Sequence, residues 1–219
     1  MMKESRGILN LTKRPESFKK PGKSPPLKMR IPSIQECLSM MEETKLTPNM
    51  KKHSILVMKI SSALAKKLIQ KGEKINMELL RASALLHDLD KFLTLQNGAE
   101  HGYLSQRILN ERGYPEVGLI VRKHRLETVY EDPAGLKTWE EKLVFYSDKR
   151  LNDYTIVSLP ERYEYLLRRY GTTPERIDSI LKTRPGVELI EREIFSKLGR
   201  SPDELQDIMR EEGEVGFDV

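Results

Sequence analysis

Asn76-Met77-Glu78-Leu79-Leu80-Arg81-Ala82-Ser83-Ala84-Leu85-Leu86-His87-Asp88 reads as a helix destined for an interior. Asn76 is a residue type whose side chain caps free backbone amides at a helix start. The stretch that follows is apolar nearly all round by the time it reaches Ala84-Leu85-Leu86, as in a helix covered on every side. Yet it runs into an imidazole and a carboxylate, His87 and Asp88. A buried polar group without a partner costs roughly 1–3 kcal/mol. Both side chains therefore need partners from elsewhere in the chain.

The flanks are helical too. Ser33-Ile34-Gln35-Glu36 is a capping-box pattern and opens a helix to about Glu43. Thr47-Pro48 starts a long helix that stops at Gly72, with Pro in the first turn, where its missing N–H costs nothing. The spacing predicts further helices from about Gly98 to Arg112, from Pro115 to near His124, and from about Thr138 through Asp148. Ser158-Leu159-Pro160-Glu161 caps another that ends at Tyr170-Gly171, and Thr173-Pro174 and Ser201-Pro202-Asp203-Glu204 open two of the last ones. No region alternates apolar and polar residues between turn signals as strands do. The expected fold is all-α, a helical bundle over residues 32–171 with a C-terminal helical extension over 172–219. Trp139, Tyr163, Tyr165 and Tyr170 stand in it as packing residues at helical spacing.

The chain has 219 residues and a formal net charge of +5. That charge is local. Residues 1–31 hold nine Lys or Arg and two Glu, a surplus of seven, which leaves the rest of the chain at −2. The same stretch contains Pro15, Pro21, Pro25 and Pro26 and few large apolar residues, so it reads as a loosely attached basic tail. Such an arm can meet nucleic acid, but no aromatic pattern accompanies the charge, and a soluble leader is the simpler reading. One cysteine, Cys37, excludes an internal disulfide and a multi-cysteine zinc site; it falls on a core face with Ile34 and Met41. No apolar run approaches the roughly 20 residues that cross a bilayer. The N-terminus carries only a short apolar patch, Ile8-Leu9 and Leu11, so no membrane association and a cytoplasmic location are expected.

The four histidines carry the chemistry. His53 shares a helix face with Leu56, Val57, Ile60, Leu64 and Leu68, His101 with Leu104 and Ile108, and His124 with Val117, Ile120 and Val121. Asp148 stands at the edge of an apolar face beside Val144 and Leu151. A single histidine on an apolar face is ordinarily a satisfied core residue. Here every histidine is placed that way, and one shared metal site would satisfy them together. The candidate ligands are His53, His87, Asp88, His101, His124 and Asp148, and the interior of a helical bundle is a common place to assemble such a set. Mixed imidazole and carboxylate ligation suits Mn, Fe, Co, Ni or Zn, with Mg admitted. His53, His87, Asp88 and Asp148 suffice for one ion; His101 and His124 allow a second, with Asp88 bridging. Two ions roughly 3.5–4 Å apart clamp the attacking and leaving oxygens of a phosphoryl displacement.

The pattern His53…His87-Asp88…Asp148 resembles the HD-domain superfamily of metal-dependent phosphohydrolases, and His101 and His124 resemble its two-metal subgroup with an HDIG-type motif. The stretches Glu140–Lys149 and Val157–Arg162 are also similar to small bacterial or archaeal HD hydrolases, and the likeness covers about residues 33–171. It departs at one position. Where the subgroup often shows His-Asp-Ile-Gly-Lys, this chain has His87-Asp88-Leu89-Asp90-Lys91. Asp90 replaces a glycine that allows close backbone approach, and a surface or capping role is expected for it ahead of a place in the site. The resemblance implies a hydrolase of phosphoester or phosphoanhydride bonds in a nucleotide or related small phosphate compound. Asp88 and Lys91 would then be catalytic, and Lys91, Lys149 and Arg150 would meet the substrate. The alternative is a non-catalytic, metal-containing sensor or nucleic-acid-associated protein that uses its basic tail. A di-iron oxygenase is a third reading, and nothing in the sequence indicates a pocket for such chemistry.

Overall fold

Several of the helices begin where the sequence supplies a side-chain cap. A computed structural model describes residues 29–97, 100–131 and 135–213. The helices α1 (Ile34–Glu43), α2 (Pro48–Gln70) and α3 (Met77–Leu86) come first, followed by the short α4 (Lys91–Asn97). Next are α5 (Tyr103–Glu111), α6 (Pro115–Lys123), the single turn α7 (Thr128–Glu131) and α8 (Trp139–Lys149). A two-stranded hairpin, β1 (Leu151–Asn152) and β2 (Thr155–Ile156), leads into α9 (Leu159–Tyr170), α10 (Pro174–Leu198) and, after one 3₁₀ turn, α11 (Leu205–Glu211). Ser33, Thr138 and Ser158 each form a reciprocal capping box with the glutamate three residues on, and Asn76 Oδ1 accepts from the amides of Glu78 and Leu79. A cap of this kind contributes about 1 kcal/mol.

The centre of the bundle is α2, which packs against α3, α8, α10 and α11. Its face Val57, Ile60, Leu64 and Leu68 is fully buried. The helix α3 is surrounded by α1, α2, α6 and α8, which explains why its sequence is apolar nearly all round. Burying a Leu or Ile contributes roughly 1.5–3 kcal/mol, so this shared seam dominates the cohesion of the fold. The C-terminal helices lie on the same core. Ile194 and Phe195 of α10 are buried, and Lys67 of α2 pairs with Glu211 and Glu212 at the end of α11. Tyr146 Oη donates to Glu191 Oε2 at 2.6 Å and Lys142 pairs with Glu193, joining α8 to α10.

The architecture is all-α as expected, with differences of detail that bear on the site. The helix expected from about Gly98 to Arg112 is shorter, since α5 starts only at Tyr103, and a separate helix that was not expected, α4, ends at Asn97. Gly102 has φ +83°, which a helix cannot accommodate, so His101 sits on a turn. His87 and His124 likewise lie one residue past the ends of α3 and α6. The hairpin also escaped the sequence reading, because two-residue strands are too short to show alternation. Its link carries Asp153 at φ +53°, a conformation that Asp tolerates better than most side chains. No helix among the described residues is long and apolar enough to cross a membrane. The basic tail lies almost wholly outside the described residues.

Candidate metal centre

Five segments deliver six donor side chains to one place. His53 comes from the second turn of α2, His87-Asp88 from the turn after α3, and His101 from the turn before α5. His124 comes from the end of α6 and Asp148 from the last turn of α8. His53 Nε2 is 3.0 Å from Asp148 Oδ1, and His87 Nε2 is 3.6 Å from both Asp148 Oδ1 and Asp88 Oδ2. On the other side, His101 Nε2 is 3.0 Å from Asp88 Oδ1 and 3.0 Å from His124 Nε2, which is itself 3.5 Å from Asp88 Oδ1. Donors bound at about 2.0–2.2 Å to a common ion stand at separations of this size. Among the described residues, the groups close enough to hold an ion by distance alone include His53, His87 and Asp148, and His87, Asp88 and His124.

The far side of each imidazole is equally ordered. His53 Nδ1 is 2.5 Å from the carbonyl of Asp153, His87 Nδ1 2.8 Å from that of Ala84, and His124 Nδ1 2.5 Å from that of Val121. His101 Nδ1 is 2.6 Å from Asp90 Oδ1. All four partners are acceptors, so Nδ1 carries the proton in every case and donates it. A ring of this tautomer, when neutral, is left with an Nε2 lone pair, and all four Nε2 atoms face the carboxylates of Asp88 and Asp148. Four acceptors aimed at acceptors need cations between them. The buried Nε2 of His87 makes no hydrogen bond among the described residues. The donor set and its gaps fit borderline divalent ions of the kind that imidazole and carboxylate share.

Charge is balanced accordingly. Burial works to raise the Asp88 carboxyl, yet Lys91, the neighbouring imidazoles and hydrogen bonds from His101 and His124 hold it well below the usual carboxylate range. Burial opposes ionisation of Asp148 in the same way, and Lys149, His53 and His87 overcome it. Without an ion, protons neutralise these anions. Burial works against a charge on His101, but hydrogen bonds to Asp88 and Asp90 push it up to about 9. His124 is driven down to about 4 by burial and the neighbouring imidazoles.

Of the three basic residues expected to meet a substrate, the structure brings two to the cluster. The ammonium of Lys91 lies 3.2–3.3 Å from the Asp88 carboxylate and its side chain is 42 % exposed. Lys149 is buried, and its Nζ donates to the carbonyl of His124 at 2.6 Å and to Asp148 Oδ2 at 2.7 Å. It braces two candidate ligands with no free face. Arg150 is not brought to the cluster. Its buried guanidinium bonds Tyr146, Glu191 and the carbonyls of Val157 and Pro202.

Sequence reasoning missed three of the anchors on Nδ1 and expected a surface or capping role for the fourth, Asp90, ahead of a place in the site. The three are main-chain carbonyls, which leave no mark on residue type. The fourth, Asp90, had a signal in the doubled acidic spacing of His87-Asp88-Leu89-Asp90.

Residues 50–154, which span all six donors, match the family model of the HD domain. The chain is 27 % identical over 159 residues to an uncharacterized protein, MJ0778, of Methanocaldococcus jannaschii, across 68 % of this chain and 92 % of that protein. No solved structure matches it. The helical bundle, the His87-Asp88 doublet at its heart and the family match lead to one statement: the chain carries an HD domain, the domain of the superfamily of metal-dependent phosphohydrolases.

Proposed function

We propose that this protein hydrolyses a phosphoester or phosphoanhydride bond of a nucleotide or related small phosphate compound, using one or two divalent ions. His53, His87, Asp88 and Asp148 would hold the first ion, and Asp88, His101 and His124 the second. Mn, Fe, Co, Ni and Zn suit these donors, and Mg is admitted. Residues 32–171 form the catalytic unit in this reading, with 172–219 as its helical cover. The observation that carries it is the common orientation of the four imidazoles, each with Nδ1 tied back and Nε2 turned to two carboxylates.

When bound, such ions supply Lewis acidity toward phosphoryl oxygens and a water acidic enough to serve as nucleophile near neutral pH. The chain supplies the rest. Lys91 is the cation with solvent on one side, so its ammonium can leave Asp88 for a phosphoryl oxygen as negative charge grows there. Lys149 occupies Asp148 Oδ2 and thereby keeps Oδ1 turned to His53 and His87. The packed α2, α3 and α8 exclude water from the rear of the site, which strengthens each of these interactions.

Released phosphate, measured across nucleoside mono-, di- and triphosphates and cyclic nucleotides with each metal in turn, tests the proposal. Turnover is expected with at least one metal and is lost in Asp88→Ala. Folded, metal-loaded protein that turns over no member of the panel overturns it.

A further inference from the structure

Three of the four imidazoles rest their Nδ1 on neutral main-chain carbonyls, and the fourth rests on an anion. That fourth ring, His101, is also the least enclosed, at 29 % side-chain exposure against 0–14 % for the others. It stands on a turn, where packing fixes a side chain poorly. Its anchor is the opposite in every respect. Asp90 is completely buried. Oδ1 accepts from His101 Nδ1 at 2.6 Å, and Oδ2 accepts from the amides of Gly102 at 2.8 Å and Ser105 at 2.9 Å, at the start of α5. The Asp90 amide in turn donates to Ser105 Oγ at 3.0 Å. One carboxylate thus fixes both the backbone that carries His101 and the proton on its ring.

From this geometry we infer that Asp90 is the positioning residue of His101: its carboxylate orients the imidazole, holds the proton on Nδ1 and makes Nε2 a stronger donor to an ion shared with His124 and Asp88. A carboxylate behind a ligating histidine fixes its tautomer and raises its basicity, and loss of such a partner weakens metal binding by about 10- to 100-fold. The inference rests on the metal-centre reading above but not on the number of ions. It also gives the acidic residue in His87-Asp88-Leu89-Asp90 a task that a surface position would not have.

The test is nitrogen NMR of histidine-labelled protein during stepwise addition of zinc, with zinc stoichiometry measured in parallel. In the full-length protein, His101 is expected to bind zinc through Nε2 and to keep an Nδ1 proton protected from solvent exchange. In Asp90→Asn, which preserves volume, that protection is lost and His101 requires about 10- to 100-fold more zinc, while His53 and His87 respond as before. Ser105→Ala removes a helix contact without touching the ring, so it lowers the melting temperature and leaves the His101 signals in place. Zinc binding at His101 through Nδ1, or no zinc response at His101 in the full-length protein, overturns the inference even if Asp90→Asn does not fold. So does an Asp90→Asn protein that matches the parent in both readouts. A stoichiometry of one zinc with His101 Nε2 engaged supports the role of Asp90 and instead removes the two-ion arrangement.

Discussion

Lys91 and Arg150 show why a basic residue's role depends on its surroundings. Lys91 keeps an exposed flank beside Asp88, so its charge is available to a ligand. We expect Lys91→Met to lower kcat about 100-fold, or about 2.7 kcal/mol in the barrier, with bound metal unchanged by elemental analysis. Arg150 is enclosed by four partners, Tyr146, Glu191 and the carbonyls of Val157 and Pro202. Its replacement by Met leaves the carbonyls of Val157 and Pro202 without this donor, while Glu191 keeps Tyr146, and is expected to cost about 1–3 kcal/mol, read as a fall in melting temperature. Cys37 gives a pH test. Burial pushes its thiol up to about 12 from an ordinary value near 9. Between those values the unfolded chain loses the thiol proton and the native chain keeps it, so stability falls by about 1.4 kcal/mol per pH unit above pH ~9. Denaturant unfolding at pH 9 and pH 10.5 should show a shallower decline in Cys37→Ala than in the parent. At this scale the sequence singled out the candidate donors that the fold brings together, because imidazoles on apolar faces are conspicuous. It hid the carbonyls of Ala84, Val121 and Asp153 that orient them.

Helices were legible where caps and periodicity agree, as in α1, α2, α8 and α9. They were illegible where one glycine decides. Gly102 follows His101 directly, and a helical face drawn through both ignores its positive φ. A Cβ there would also lie 3.1 Å from the Arg125 side chain. Gly186 acts differently. It lies in mid-helix, beside Pro185 in α10, where Gly normally costs about 1 kcal/mol relative to Ala. Its lack of a side chain admits α7: a Cβ at 186 would stand 2.7 Å from Val129 Cβ. Gly186→Ala should therefore destabilise the protein despite its better helix propensity. The double variant with Val129→Ala should recover most of the loss, which a double-mutant cycle of thermal or urea unfolding would measure.

The whole molecule couples its core to its chemistry, since α2 carries His53 on a helix whose other turns are buried against α3, α8 and α10. An ion that binds only the native arrangement stabilises by about 2.7 kcal/mol at a hundredfold excess over Kd. The melting temperature should accordingly rise on addition of Mn or Zn and return with chelator, and Asp148→Ala should abolish the rise. The bundle itself was legible from helix count and the absence of alternating segments. The way α10 and α11 fold back on α2 was not, because the ion pairs of Lys67 with Glu211 and Glu212 join residues remote in sequence.

His53 and Asp148 are 95 residues apart, yet their side chains meet at 3.0 Å. A chain still searching for its shape offers an ion little beyond the adjacent His87-Asp88 doublet, so capture must wait until distant segments have docked. A cation held there would be a lock applied last. Kinetic traces should reveal it as slower escape from the native state on the unfolding arm of the chevron, with the refolding arm unmoved.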